Sequence, residues 1–165
     1  MPIQTQIKTH GPDVLRAGLL TSVAMLVAGC GDAPLGPLVL SELATPAGDF
    51  SGQAHLAAAP DGAAVLSWLE PTTGDGMALK LTTLASGVET WTEPRSIAEG
   101  ENWFINWADF PSVVPISESL WVAHWLVYRE DYDGYDSVVA ISTDAGATWS
   151  EPTLLNTDGT PTEHG

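Results

Sequence analysis

Cysteine is almost missing from this chain. Its 165 residues contain one, Cys30, so no disulfide can close within the chain and none can staple a small fold. Cations are nearly as scarce, with five Lys and Arg against 21 Asp and Glu and a formal net charge of −16. Beyond residue 30 only Lys80, Arg95 and Arg129 carry positive charge. Nucleic-acid binding through a basic groove is thereby excluded, because nothing is present to neutralise a row of phosphates. The chain also has no phosphate-binding glycine loop, no HExxH, no CxxC and no G-x-S-x-G elbow. No cofactor and no metal are expected on these grounds. Long apolar runs are limited to Ala17–Val27, which is too short for a membrane-spanning helix.

What is present begins with an address. Lys8 and Arg16 precede the apolar run, in the order of a secretory signal. Val27-Ala28-Gly29-Cys30 then resembles a lipobox, the site at which bacterial lipoproteins are cleaved and lipidated. The resemblance implies a signal peptide over 1–29, a lipidated Cys30 and a membrane partner reached through that anchor, in the cell envelope and leaning to the outer membrane. An ordinary secretory signal with an incidental cysteine is the alternative. Residues 30–52 read as the anchor, a tether and a first short strand at Leu38–Leu43.

All seven tryptophans follow the address, and 44% of the chain is hydrophobic, which argues against disorder. The remainder suffices for one ordinary domain. From residue 53 the pattern is of short strands and turns, and it repeats. Strands are expected at His55–Ala59, Ala63–Leu69 and Met77–Leu84, then at Pro111–Val114, Leu120–Tyr128 and Ser137–Ile141. Trp91 and Trp149 lie 58 residues apart, as do Pro94 and Pro152, and Trp68 and Trp125 lie 57 apart. Two units result, about 53–100 and 101–158, with a third opening near the end of the sequence. Both alternating faces of Leu120–Tyr128 are largely apolar, so both are expected to be covered.

The second unit carries Ser142-Thr143-Asp144-Ala145-Gly146-Ala147-Thr148-Trp149, which fills every position of S-x-D-x-G-x-T-W. Each residue type suits a tight turn. Asp144 can accept hydrogen bonds from backbone N–H groups two or three residues on, Gly146 tolerates positive φ, Ser142 and Thr148 can bond across the turn, and Trp149 brings apolar surface. The first unit keeps Thr90, Trp91, Glu93 and Pro94 but has Ser86 and Val88 where the second has Asp144 and Gly146.

This pattern resembles the Asp-box, or bacterial neuraminidase repeat, of sialidase-like β-propellers. The resemblance implies an all-β chain forming about two blades, the N-terminal part of a six-bladed sialidase-type propeller. It implies a cell-surface glycoside hydrolase of exo-alpha-sialidase type acting on terminal sugars of glycans, inactive as this piece. The alternative is a non-catalytic, lipid-anchored propeller that binds glycans or proteins. Asp144 and its neighbours are structural in either reading.

Sialidases grip a sugar carboxylate with three arginines and use a tyrosine paired with a glutamate, plus an aspartate acid/base. Beyond the leader this chain has two arginines. The family's Phe/Tyr-Arg-Ile-Pro signature is missing, its nearest counterpart being Glu93-Pro94-Arg95-Ser96-Ile97. By the resemblance, Asp109, in the loop just before the strand expected at Pro111–Val114, is the candidate acid/base, against a turn-capping role. His124 and Arg129 are the other catalytic candidates. Their plainer roles are a core histidine and a surface ion pair with Glu130. Trp103 and Trp107 are candidates to stack on sugar rings or to pack the core. Asp131–Asp136 lacks the spacing of a calcium loop and reads as a solvated hairpin. Glu163 and His164 complete the polar candidates.

Overall fold

The computed structural model describes residues 36–37, 40–129 and 134–157. Residues from Ser41 onward form one compact unit, distinct from Met1–Leu40. The proposed leader, Cys30, the Glu130–Asp133 part of the acidic loop, Glu163 and His164 lie outside the described residues.

The unit is all-β, with no helix among the described residues. Strands β1 (Gly52–Ala58), β2 (Ala64–Pro71), β3 (Met77–Leu84) and β4 (Arg95–Gly100) form one antiparallel sheet in chain order. Strands β5 (Ser112–Pro115), β6 (Trp121–Tyr128), β7 (Tyr135–Ser142) and β8 (Thr153–Leu154) form the other in the same way. Six of the eight strands coincide with sequence-predicted ones to within a few residues. The other two, β4 and β8, lack the apolar alternation that marks a strand and are held by pairing with β3 and β7.

One expectation is corrected. Of the strand expected at Leu38–Leu43, the described part, Leu40–Leu43, is not strand, and Leu40 and Leu43 face solvent. With no partner strand, local β propensity alone does not make one. The segment after it is still used, since it closes the far face of the first sheet. Glu70 accepts hydrogen bonds from the Gly48 amide and from Trp68 Nε1 and pairs with Lys80, leaving Trp68 only 2% exposed.

The core lies between the sheets. Val65, Leu69, Leu79 and Leu81 of the first pack on Val113, Trp121, Ala123, Trp125 and Ala140 of the second. Trp103 stacks on Trp125, with ring centroids 5.3 Å apart and planes 10° apart. The repeat is exact enough to set the register. Ala64 pairs with Leu84, and 57 or 58 residues later Trp121 pairs with Ser142. By that offset, Val65, Leu69 and Leu81 correspond to Val122, Leu126 and Val139, which lie on the face of the second sheet turned away from the first. The stacking is therefore head to tail, with unlike faces in contact. Trp121, Ala123 and Trp125 are buried on the face towards the first sheet; on the other face Leu126 is buried and Val122 half-buried, while His124 is exposed.

Candidate functional site

The Ser142–Trp149 turn joins β7 to β8, and its bonding explains the polar and glycine letters of the pattern by chemistry. Ser142 is 1% exposed; its hydroxyl donates to Asp144 Oδ1 (2.8 Å) and accepts from the Gly146 amide (2.8 Å). Asp144 accepts from the Thr148 amide (2.8 Å) through Oδ1 and from the Thr148 hydroxyl (2.6 Å) through Oδ2. These hydrogen bonds, Thr148's first, hold the Asp144 carboxyl down to about 2. Ala145 and Gly146 both adopt positive φ, 55° and 74°, and a Cβ on Gly146 would lie 2.9 Å from Trp121 Cε3. Trp149 packs against the core. Every polar atom of the carboxylate is occupied in holding the chain, which is a fastening role.

The counterpart in the first sheet has lost the serine and aspartate bonds but not the outer clamp. Thr92 exchanges backbone and side-chain hydrogen bonds with Thr83 (2.9 and 3.0 Å), as Ser150 does with Ile141 (2.8 and 3.0 Å), again 58 residues on. Gly87, at φ 76°, makes the turn, closed by Val88 N to Ala85 O (3.1 Å).

The other polar centre lies away from this turn. β5 runs from Ser112, paired with His124, to Pro115, paired with Trp121 beside Ser142. The loop entering β5 at Ser112 is therefore remote from the Ser142–Trp149 end. A cavity of about 570 Å³ opens there. Asp109, Phe110, His55 and His124 contribute to its wall, with Ser112 and Ser137 as further polar groups. Val122, Leu126 and Val139 form its apolar side.

Asp109 is set by its neighbour Asn106. The Asn106 amide oxygen accepts from the Ala108 and Asp109 amides (2.6 and 2.7 Å), and its Nδ2 donates to Asp109 Oδ2 (2.9 Å). One side chain thus locks the turn and aims the carboxylate. Although part of the His124 side chain is exposed, desolvation of the ring against the cavity wall, with His55 as a second cause, lowers its pKa and favours the neutral imidazole. His124 has no hydrogen-bonding partner among the described residues, so it is not a satisfied core histidine. His55 turns Nδ1 inward, where it has neither accessible surface nor partner, and its ring leans on Phe110 at 6.2 Å.

Of the three catalytic candidates, Asp109 and His124 share this cavity and Arg129 does not line it. The Arg129 Nη1 instead lies 3.3 Å from Asp136 Oδ1, which also accepts from Asn156 Nδ2 (2.9 Å). Trp103 is a core residue, whereas Trp107 is 89% exposed. His55 and Phe110 escaped sequence reasoning, since neither sits in a motif. The repeat could have flagged His55, which lies 57 residues before Ser112 and so occupies the matching place in the first sheet.

The fold and cavity define an all-β protein of two stacked four-stranded sheets, with a histidine- and aspartate-walled cavity at the end remote from its serine–aspartate turn. No protein-family model matches the chain, and no curated protein matches it. No described helix is long and apolar enough to cross a membrane.

Proposed function

We propose that the two sheets are consecutive blades of an Asp-box propeller of sialidase-like, glycoside-hydrolase type, acting at the cell surface on terminal sugars of glycans and inactive as this piece alone. The observation that carries the reading is the division of labour within one sheet. The Ser142–Asp144–Thr148 fastening occupies one end, and Asp109 stands in a cavity wall towards the other. The head-to-tail stacking supports the propeller part. The apolar side of the cavity uses the sheet positions that the first sheet uses to bind the second, so a further blade would pack there and deepen the cavity around Asp109. In this reading Asp109 is the acid/base and His124 a polar group facing the substrate.

A second reading, a non-catalytic glycan- or protein-binding propeller, is favoured by one specific observation. Arg129 is engaged with Asp136, and no arginine stands among the described residues of the cavity wall. Hydrolysis of a panel of fluorogenic glycosides, sialosides included, by the full-length protein distinguishes the two. Turnover that Asp109→Asn abolishes supports the hydrolase; a folded sample that turns over none of them overturns it. The envelope location is proposed on the Cys30 lipobox alone. Cys30→Ser is expected to move the protein from the membrane fraction to the soluble one.

A further inference from the structure

Trp107 is the one tryptophan presented almost whole to solvent, at 89% exposure, while Trp68, Trp103, Trp121 and Trp125 are all 6% exposed or less. Burying an indole is worth a few kcal/mol, so a fully exposed one, in a chain that buries four of its other tryptophans, forgoes a large gain. It is also held in place. Asn106, directly before it, bonds the two amides directly after it, so the turn that projects Trp107 is the turn that aims Asp109. Ala108, Asp109 and Phe110, which follow, all line the cavity, and Phe110 is itself 38% exposed. A flat apolar face therefore stands two residues from a carboxylate acceptor whose cavity also holds the His55 and His124 imidazoles. A sugar ring offers the complement, apolar C–H faces with hydroxyls at its edge.

We infer that the Asn106–Phe110 turn is a binding site for an uncharged sugar ring, with Trp107 as its stacking face, Asp109 as hydroxyl acceptor and Asn106 as the residue that positions both. The site rests on the glycan reading above but not on turnover. Charge selects within the class. Asp109 repels a sugar carboxylate, and the net charge of −16 adds a long-range field of the same sign. The described wall holds His55 and His124 but no lysine or arginine to offset it. An anionic sugar is thus disfavoured and a neutral one accepted.

The test uses the full chain and its own fluorescence. Methyl β-galactoside and methyl N-acetylglucosaminide serve as neutral probes and N-acetylneuraminic acid as the anionic one, with acrylamide quenching as the readout of Trp107 access. A neutral glycoside is expected to shield Trp107 saturably. Trp107→Ala is expected to keep the fold, checked by circular dichroism, and to weaken binding roughly tenfold. Asp109→Asn is expected to narrow the preference for neutral over anionic sugar. Asn106→Ala is expected to raise the mobility of Trp107, read as lower emission anisotropy, and to weaken binding without lowering the melting temperature to the same degree. Equal or tighter binding of N-acetylneuraminic acid overturns the charge selection while leaving a glycan site. Shielding that survives in Trp107→Ala, or no shielding by any probe, overturns the site itself. Glycoside turnover is measured separately, so a binding module without hydrolysis would leave the site standing and remove only the hydrolase.

Discussion

Asp144 and Gly146 show how much one turn depends on single residues. At Gly146 two constraints coincide, a φ of 74° and the Trp121 ring 2.9 Å from any added Cβ. Gly146→Ala is therefore expected to destabilise the protein by about 1–3 kcal/mol, measured by urea denaturation. Asp144 and Glu70 make a prediction in pH. Their carboxyls lie near 2 in the folded protein, Asp144 chiefly through Thr148 and Glu70 chiefly through Lys80, against ordinary values of 3.8 and 4.5. The unfolded chain therefore takes up protons first as the solution is acidified. The stability these groups contribute is full above pH 4.5 and is lost as pH falls towards 2. The urea midpoint should drop over that window, and the drop should shrink in Asp144→Ala and in Glu70→Gln. The turn itself was legible from its letters, because Ser, Asp, Gly and Thr each have few roles in so short a loop. Two details were not. Asp144 reaches the Thr148 amide, four residues on, and it is the Ser142 hydroxyl that receives the Gly146 amide. Those depend on the paired positive φ at Ala145 and Gly146, which no residue type at 145 announces.

Among the elements, β6 carries the greatest packing responsibility. Its Trp125 is 3% exposed and stacked on Trp103, so Trp125→Ala is expected to cost about 3–5 kcal/mol, checked by the same urea titration. Trp103 reaches that position because residues 102–104 run alongside β6, with Phe104 N bonded to Leu126 O at 3.0 Å and Tyr128 N to Asn102 O at 2.8 Å. Sequence could not choose between core and sugar-stacking roles for Trp103 and Trp107, which sit four residues apart in one irregular loop. The pairing with β6 draws the first inward, and the Asn106 turn directs the second outward. Strands β2, β3, β6 and β7 were readable because they are eight-residue runs rich in apolar residues and bounded by turn signals. Strands β4 and β8 were not, because edge strands gain their conformation from a neighbour's hydrogen bonds and carry little pattern of their own.

For the whole molecule, charge and stacking set the behaviour. A net charge of −16 on 165 residues makes the folded state repel itself, so the melting temperature is expected to rise as sodium chloride goes from about 10 to 150 mM. A midpoint that falls or stays flat would mean that local pairs such as Glu70–Lys80 outweigh the general repulsion. Sequence by itself determined the all-β class, the doubled unit with its 57–58-residue offset, the tight turn at Ser142–Trp149 and the exclusion of a basic nucleic-acid groove. Those properties are local or summed over the chain, and periodicity, turn chemistry and charge counts report them directly. Only the tertiary structure decided that the sheets stack with unlike faces, that His55 meets His124 and Asp109 around one cavity, and that Arg129 is spent on Asp136. Such outcomes join residues more than 50 positions apart, through strand register and the packing of one sheet on another, and no short stretch of sequence records them.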